Sequence, residues 1–306
     1  MRPLVLLCLG LTALLSCSTA PRRPDQILDR KNQAAEYAEL GNSYFNQGRY
    51  DQALQLFTLA LNENRAVDNE EGVARCYNSV GKVYLATGNW EQAESQFLQA
   101  QALGRKLRAQ VLAAQSANNL GELRLAQGDL EHALEHFQRA LAAIDQRNPG
   151  REGAVIYHNI GSVYGRQQRL TEALQLFERA LQINTRLKLH EEMASNYYGM
   201  ASVYSREGDY AQALRAIDRA LAEDKRVEHS VGIGKDLTAR GLVLMKAGRP
   251  EEALDSLRRA AQLYQAIGLR GELVAVLPHL IEAAGLAGES AEAESWRALE
   301  AELKGR

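Results

Sequence analysis

The string His132-Ala133-Leu134-Glu135-His136 carries the residue types of metal-assisted hydrolysis. On a helix, histidines four apart share one face, where two imidazoles can ligate zinc while a neighbouring glutamate acts as base toward a bound water. Such chemistry also needs a third ligand and a water-excluding cleft, and nothing in the sequence points to either. A surface pair of this kind can still bind adventitious Zn²⁺ or Ni²⁺. The sequence holds no phosphate-cradling glycine loop, no serine elbow and no paired carboxylates in an apolar setting. It therefore predicts no catalytic residues, no cofactor, no resident metal and no small-molecule substrate.

Cysteine could supply a second chemistry, and the chain has Cys8, Cys17 and Cys76. Arg2 precedes an apolar run from Leu4 to Leu15, and Cys17 closes that run just before a polar stretch. A short cationic start and an apolar segment of this length describe a secretory signal, too short to span a bilayer. Leu14-Leu15-Ser16-Cys17 resembles the lipobox of bacterial lipoproteins. The resemblance implies cleavage before Cys17, diacylglycerol on its thiol and an acyl group on its new amine. Several chains, at ~0.8 kcal/mol per buried CH₂, make a durable anchor. Ser18, where an Asp would tend to retain the protein in the inner membrane, points by the same resemblance to the periplasmic face of the outer membrane. The alternative is an ordinary cleaved signal with an incidental cysteine. Residues 1–16 are thus expected to be a signal peptide, and 17–33, with Pro21 and Pro24, a lipidated cysteine and flexible tether. Cys76 is left without a disulfide or metal partner and reads as a small buried apolar residue.

The rest of the chain must explain what positions these groups, and it repeats. Stepping by 40 from Gly41 gives Gly81, Gly121, Gly161, Ala201 and Gly241. Ala53 and Ala60 each recur at the same step as far as Ala253 and Ala260, without insertion or deletion. Phe57, Phe97, Phe137 and Phe177 share a column continued by Ile217 and Leu257; Tyr37, Tyr77, Tyr157 and Tyr197 share another, and Tyr44, Tyr84, Tyr164 and Tyr204 a third. A turn glycine runs from Gly48 to Gly288, broken only by Gln168. The position of His132 is held elsewhere by Gln92, Glu172, Gln212 and Glu252, which makes it an ordinary polar helix position. Few prolines and abundant Ala, Leu, Glu, Gln and Arg suit helices throughout.

An aromatic, Leu-Gly, Tyr, then Ala, Phe and Ala at these offsets resemble the tetratricopeptide repeat (TPR) over residues 34 to 300. The resemblance implies an all-α, right-handed TPR solenoid of six to seven antiparallel helix pairs, each a helix A, a turn and a helix B. Units are expected to start near 34, 74, 114, 154, 194 and 234, within a solenoid over 34–306 whose last unit, 274–306, is a degenerate cap. TPR units are typically ~34 residues. The added length is expected between helix B and the next helix A, as in Asp68-Asn69-Glu70-Glu71-Gly72, a form similar to the longer Pins/LGN-type repeats, which commonly hold an extended peptide. The crossing glycines are expected to bring two helix backbones together. Asn89 with Gln92, and Asp209 with Gln212, are expected to cap helix B. In the last unit Pro278 is expected to interrupt helix A and Trp296 to lie along the preceding repeat.

By the resemblance, a concave groove is lined by helix A positions not used in packing. These are Arg75, Asn78, Ser79 and Lys82; Gln115, Asn118, Asn119 and Glu122; His158, Asn159 and Ser162; and Ser195, Tyr198 and Ser202. Asn can bond a peptide backbone through both its oxygen and its NH₂. The expected ligand is an extended peptide held by a ladder of Asn78, Asn118, Asn119 and Asn159. The basic set that clamps a terminal carboxylate in chaperone-binding TPRs is not reproduced; Val155 stands where a base is needed.

A formal net charge of −2 gives no electrostatic footprint for nucleic acid. The expectation is a lipid-anchored periplasmic adaptor that binds protein or peptide partners, in envelope assembly, secretion or pilus biogenesis. The alternatives are a cytoplasmic TPR regulatory scaffold and, more remotely, a zinc peptidase using the His132–His136 string.

Overall fold

Fourteen helices fill residues 24–305, the part described by the computed structural model. In chain order they are α1 (Pro24–Asn46), α2 (Tyr50–Ala66), α3 (Glu70–Ala86), α4 (Trp90–Lys106), α5 (Gln110–Ala126), α6 (Leu130–Ala142) and α7 (Gly150–Arg166). There follow α8 (Leu170–Leu187), α9 (His190–Glu207), α10 (Tyr210–Arg226), α11 (Ser230–Lys246), α12 (Pro250–Ala266), α13 (Arg270–Leu286) and α14 (Ser290–Lys304). Each odd helix packs on the even helix after it, and each even helix on the next odd one. Odd helices also touch the next odd helix along the series, whereas the even helices make no comparable contact with one another. The odd helices are therefore the inner layer of the stack.

The added repeat length lies in the helices. Most are 17 residues long, joined by short turns, and Glu70, Glu71 and Gly72 form the first turn of α3 instead of a connection. The side chain of Asn69 accepts from the Gly72 N–H at 3.4 Å, and the two glutamates complement the positive end of the helix. The first helix also starts early. α1 begins at Pro24, inside the stretch expected as tether, and Pro is well suited to a first helical position. Only Ala34 and Gly41 of α1 are buried, and Arg30 reaches Glu63 of α2 at 2.8 Å. The expected signal segment and Cys17 lie outside the described residues.

The recurring columns form the core. Ala53, Ala93, Ala133, Ala173, Ala213 and Ala253 are all 0% exposed, and Phe57, Phe97, Phe137 and Phe177 are fully enclosed or nearly so. Gly41, Gly81 and Gly121 make room for those rings, and Gly161 and Gly241 also let the backbone of the next helix come close, as expected: a Cβ there would lie 3.3 Å from the Ala173 carbonyl oxygen and 3.2 Å from that of Ala253. A Cβ on Gly121 would lie 2.5 Å from Phe137 Cε1, and one on Gly81 would lie 2.4 Å from Phe97 Cε1. Ala201 holds the same column in the next unit, buried in one core cluster with Ile217.

Asp209 caps α10 as expected, accepting from the Gln212 N–H at 2.9 Å. Asn89 does not cap α4, because its amide turns back to Thr87 Oγ1 at 2.8 Å. α13 runs unbroken through Pro278. The ring removes one helix hydrogen bond, but Leu273, Val276, Leu277 and Leu280 hold the helix by burial. Trp296 packs on the core of the C-terminal repeats, and its Nε1 donates to Glu292, which Arg258 of α12 grips through two 2.8 Å bonds. Cys76 is buried and unbridged, and burial pushes its thiol up to about 11, which leaves it in the unreactive protonated form.

Candidate binding groove

The inner faces of α3, α5, α7 and α9 carry the polar residues that the repeat register assigns to the groove. Most of the asparagines face a neighbouring helix instead of solvent. Asn119 Nδ2 donates to Asn78 Oδ1 at 3.1 Å across α3 and α5. Asn159 Nδ2 donates to Asn118 Oδ1 at 2.9 Å and to Glu122 Oε1 at 3.0 Å across α5 and α7. Asn118 Nδ2 also donates to Glu122 Oε1, at 2.8 Å. His158 Nδ1 meets Asn196 Oδ1 at 3.0 Å across α7 and α9. These asparagines form a seam between inner helices instead of the peptide-holding ladder expected. Asn78, Asn118, Asn119 and Asn159 are all buried, and their amides are largely used on one another. Asn78 Nδ2 is the exception, buried and without a partner.

The other expected groove residues divide by exposure. Arg75 and Lys82 are exposed, Arg75 pairing with Glu71 at 2.6 Å on its own helix. Ser79, Gln115, Glu122, His158 and Ser162 are half-buried; Gln115 bonds Glu152 at 3.2 Å, and Ser162 bonds the His158 carbonyl at 3.1 Å. Ser195, Tyr198 and Ser202 are exposed, although Ser195 Oγ is turned to the Glu191 carbonyl. Burial holds the His158 imidazole below its ordinary pKa, with the Asn196 bond opposing that shift. The ring also stacks edge-on against Phe177 at 5.2 Å between centroids, which suits a neutral positioning group.

Toward the C-terminal end the groove deepens. The position held by Ser79, Asn119 and Asn159 becomes Gly199 and Ala239, and a pocket of about 350 Å³ opens between α9 and α11. Tyr198, Ser202 and Ser205 line it together with Ala201, Ile217, Leu242 and Val243, and Arg206 and Lys246 complete its wall. The register reading missed these two cations. They lie one helical turn beyond the positions assigned to the groove, and continuing the 40-residue step from Arg166 to Arg206 and Lys246 finds them.

On the outer layer, the His132–His136 string is engaged locally. His132 closes on Asp129 at 2.7 Å, Glu135 pairs with Arg139 at 3.2 Å, and His136 is half-buried with Nδ1 unpartnered. Among the described residues no group of three or more His, Cys, Asp or Glu is arranged to hold a metal ion.

Models described as tetratricopeptide repeat match residues 33–106, 88–146 and 152–226, and a further one matches 198–266. No curated protein matches the chain. Among solved structures, the apo form of RapI aligns with a TM-score of 0.61 at 16% identity, covering 89% of this chain and 97% of that one. The Rap conjugation gene regulator of plasmid pLS20, solved with the Phr* peptide, aligns with a TM-score of 0.70 at 15% identity, covering 94% and 78%. Aspartyl phosphate phosphatase F from Bacillus subtilis gives 0.64 at 15% identity, covering 91% and 72%. At these identities the likeness is one of fold.

Proposed function

This chain belongs to the tetratricopeptide repeat family, and from that premise we propose that it is a non-catalytic adaptor whose concave groove holds an extended peptide segment of a protein partner. The observation that carries this reading is the contrast within the inner helices. Their glycine column is buried, whereas Arg75, Lys82, Tyr198 and Ser202 stand exposed along one layer. The Rap structure with the Phr* peptide supports the reading as an example of a peptide-bound protein of this fold.

The adaptor is anchored at the periplasmic face of the outer membrane through lipid on Cys17 and serves envelope assembly, secretion or pilus biogenesis. Support for the anchor comes from Arg2, the Leu4–Leu15 run and the Leu-Leu-Ser-Cys string. Two measurements test these statements. A photoreactive residue at Ser202 should crosslink a partner in cells, and one at Gln138 on the outer layer should not; equal yields would overturn the groove reading. Metabolic acyl label should be lost in Cys17→Ser, and label that persists would remove the anchor and favour a cytoplasmic scaffold.

A further inference from the structure

The pocket between α9 and α11 combines an apolar floor with charges that have no ion-pair partner. Ala239 stands where the amide seam ran in earlier repeats, and half-buried Leu242 with buried Val243 forms the apolar floor. Tyr198, 43% exposed, stands at the mouth. The charged residues lining this pocket are Arg206 and Lys246, and neither is in an ion pair; Lys246 Nζ meets only Ser205 Oγ, at 3.4 Å. Arg166 occupies the equivalent position on α7, bonded to the Leu125 carbonyl at 3.1 Å and likewise free of a carboxylate. A cation thus recurs at this position in three successive units, α7, α9 and α11.

Packed helices lie ~8–10 Å apart, and an extended chain advances ~3.3 Å per residue. A carboxylate on every third residue of an extended polyproline II segment, which turns once per three residues at ~3.1 Å each and so keeps those side chains on one face, would therefore meet one cation per repeat. Resting on the groove reading above, we propose that this pocket recognises an acidic internal segment of a partner, with Asp or Glu about three residues apart and one aliphatic or aromatic side chain seated on the Leu242 and Val243 floor beside Tyr198. The recurrence of the cations along the edge favours side-chain carboxylates over a single chain-terminal one.

The probe is a fluorescent ten-residue peptide, blocked at both ends, with Glu at every third position and one Leu or Phe between. Its counterpart carries Gln for Glu. Anisotropy should show the Glu peptide binding and the Gln peptide losing about tenfold or more, with the difference shrinking as salt rises. Arg206→Glu with Lys246→Glu should abolish that preference, whereas Arg105→Glu, on the outer-layer helix α4, should not. Ala239→Asn, which restores the amide to the pocket without altering charge, should weaken both peptides, with helical circular dichroism retained as the folding control. Equal affinity for the Glu and Gln peptides, or a preference that survives the double charge reversal, overturns the proposal. Partner crosslinking at Ser202 in the doubly reversed variant separates the two readings: if it persists, the groove reading stands and the acidic-segment proposal falls. If it is absent even from the unaltered protein, the groove reading itself falls.

Discussion

At the scale of single residues, the acids and histidines of the inner layer are tuned by burial, and Asp236 most of all. It is 2% exposed, its Oδ2 has no partner, and burial first and Asp224 second push its carboxyl up to about 8, with His229 opposing. Tyr198 and Tyr264 sense the same carboxyl, and both hydroxyls are raised chiefly by burial. An unfolded Asp titrates near ~3.9. Stability from keeping this acid protonated is therefore complete below that pH and is lost progressively as pH rises through the folded value. His229 acts in the same direction, since its 3.1 Å bond to Asp224 raises its pKa and that contribution also fades on the alkaline side. The urea midpoint should fall between pH 6 and pH 9. Asp236→Asn copies the neighbouring repeat, where Asn196 donates to the Glu192 carbonyl at 2.7 Å. It should raise stability at pH 8 by about 1–3 kcal/mol and flatten the pH dependence. A midpoint as steep in pH as that of the unaltered protein would contradict this account.

At the scale of elements, the turns show what the 40-residue period encodes. The turn glycine has a positive φ, as at Gly88 (76°), and Gln168 is held at 63° in the same role between α7 and α8. A side chain there carries the left-handed strain that glycine avoids. Gln168→Gly should therefore stabilise the protein by about 0.5–1 kcal/mol, read from chemical unfolding, and the same change at a helical position such as Gln138 should destabilise it. Helix pairs, turn glycines and the Ala and Phe columns were legible in the sequence because each is a repeated packing solution. The length of each helix was less so. Asp68 to Gly72 looks like a loop by composition, yet three of its residues begin α3, because Asn69 caps from within the polar stretch. The groove was legible only in outline. An asparagine reads the same in sequence whether its amide faces a ligand or the next helix, and that choice depends on the lateral spacing of inner helices. The pocket escaped for a related reason, since at its wall Ala239 stands where earlier repeats carry Asn119 and Asn159.

At the scale of the whole molecule, a stack of repeats is held by nearest-neighbour interfaces, so its cooperativity is only as continuous as its weakest junction. That junction lies between α6 and α7. α6 ends at Ala142, four residues before the equivalent point in α4 (Lys106), and residues 143–149 form a longer connection closed by Pro149. The contact between these two helices is the thinnest of those joining one unit to the next. The amide seam crosses the same place on the inner side. Asn159 of α7 donates at once to Asn118 and Glu122 of α5, so this bond set offsets what the outer layer lacks. Asn159→Ala removes the donor and leaves the buried Asn118 Oδ1 without it, while half-buried Glu122 Oε1 keeps Asn118 Nδ2, at a cost of about 1–3 kcal/mol. Because the loss falls on the weakest junction, it should divide the molecule as well as weaken it. In hydrogen exchange under mild urea, α7–α14 and α1–α6 should open at separate denaturant concentrations in Asn159→Ala. In the unaltered protein they should open closer together. A core lesion away from this junction, Phe97→Leu, whose cluster lies on α4 and α5, should lower stability without dividing the molecule there. If Asn159→Ala weakens all helices equally, the amides only fill space, and the seam does not join the two halves.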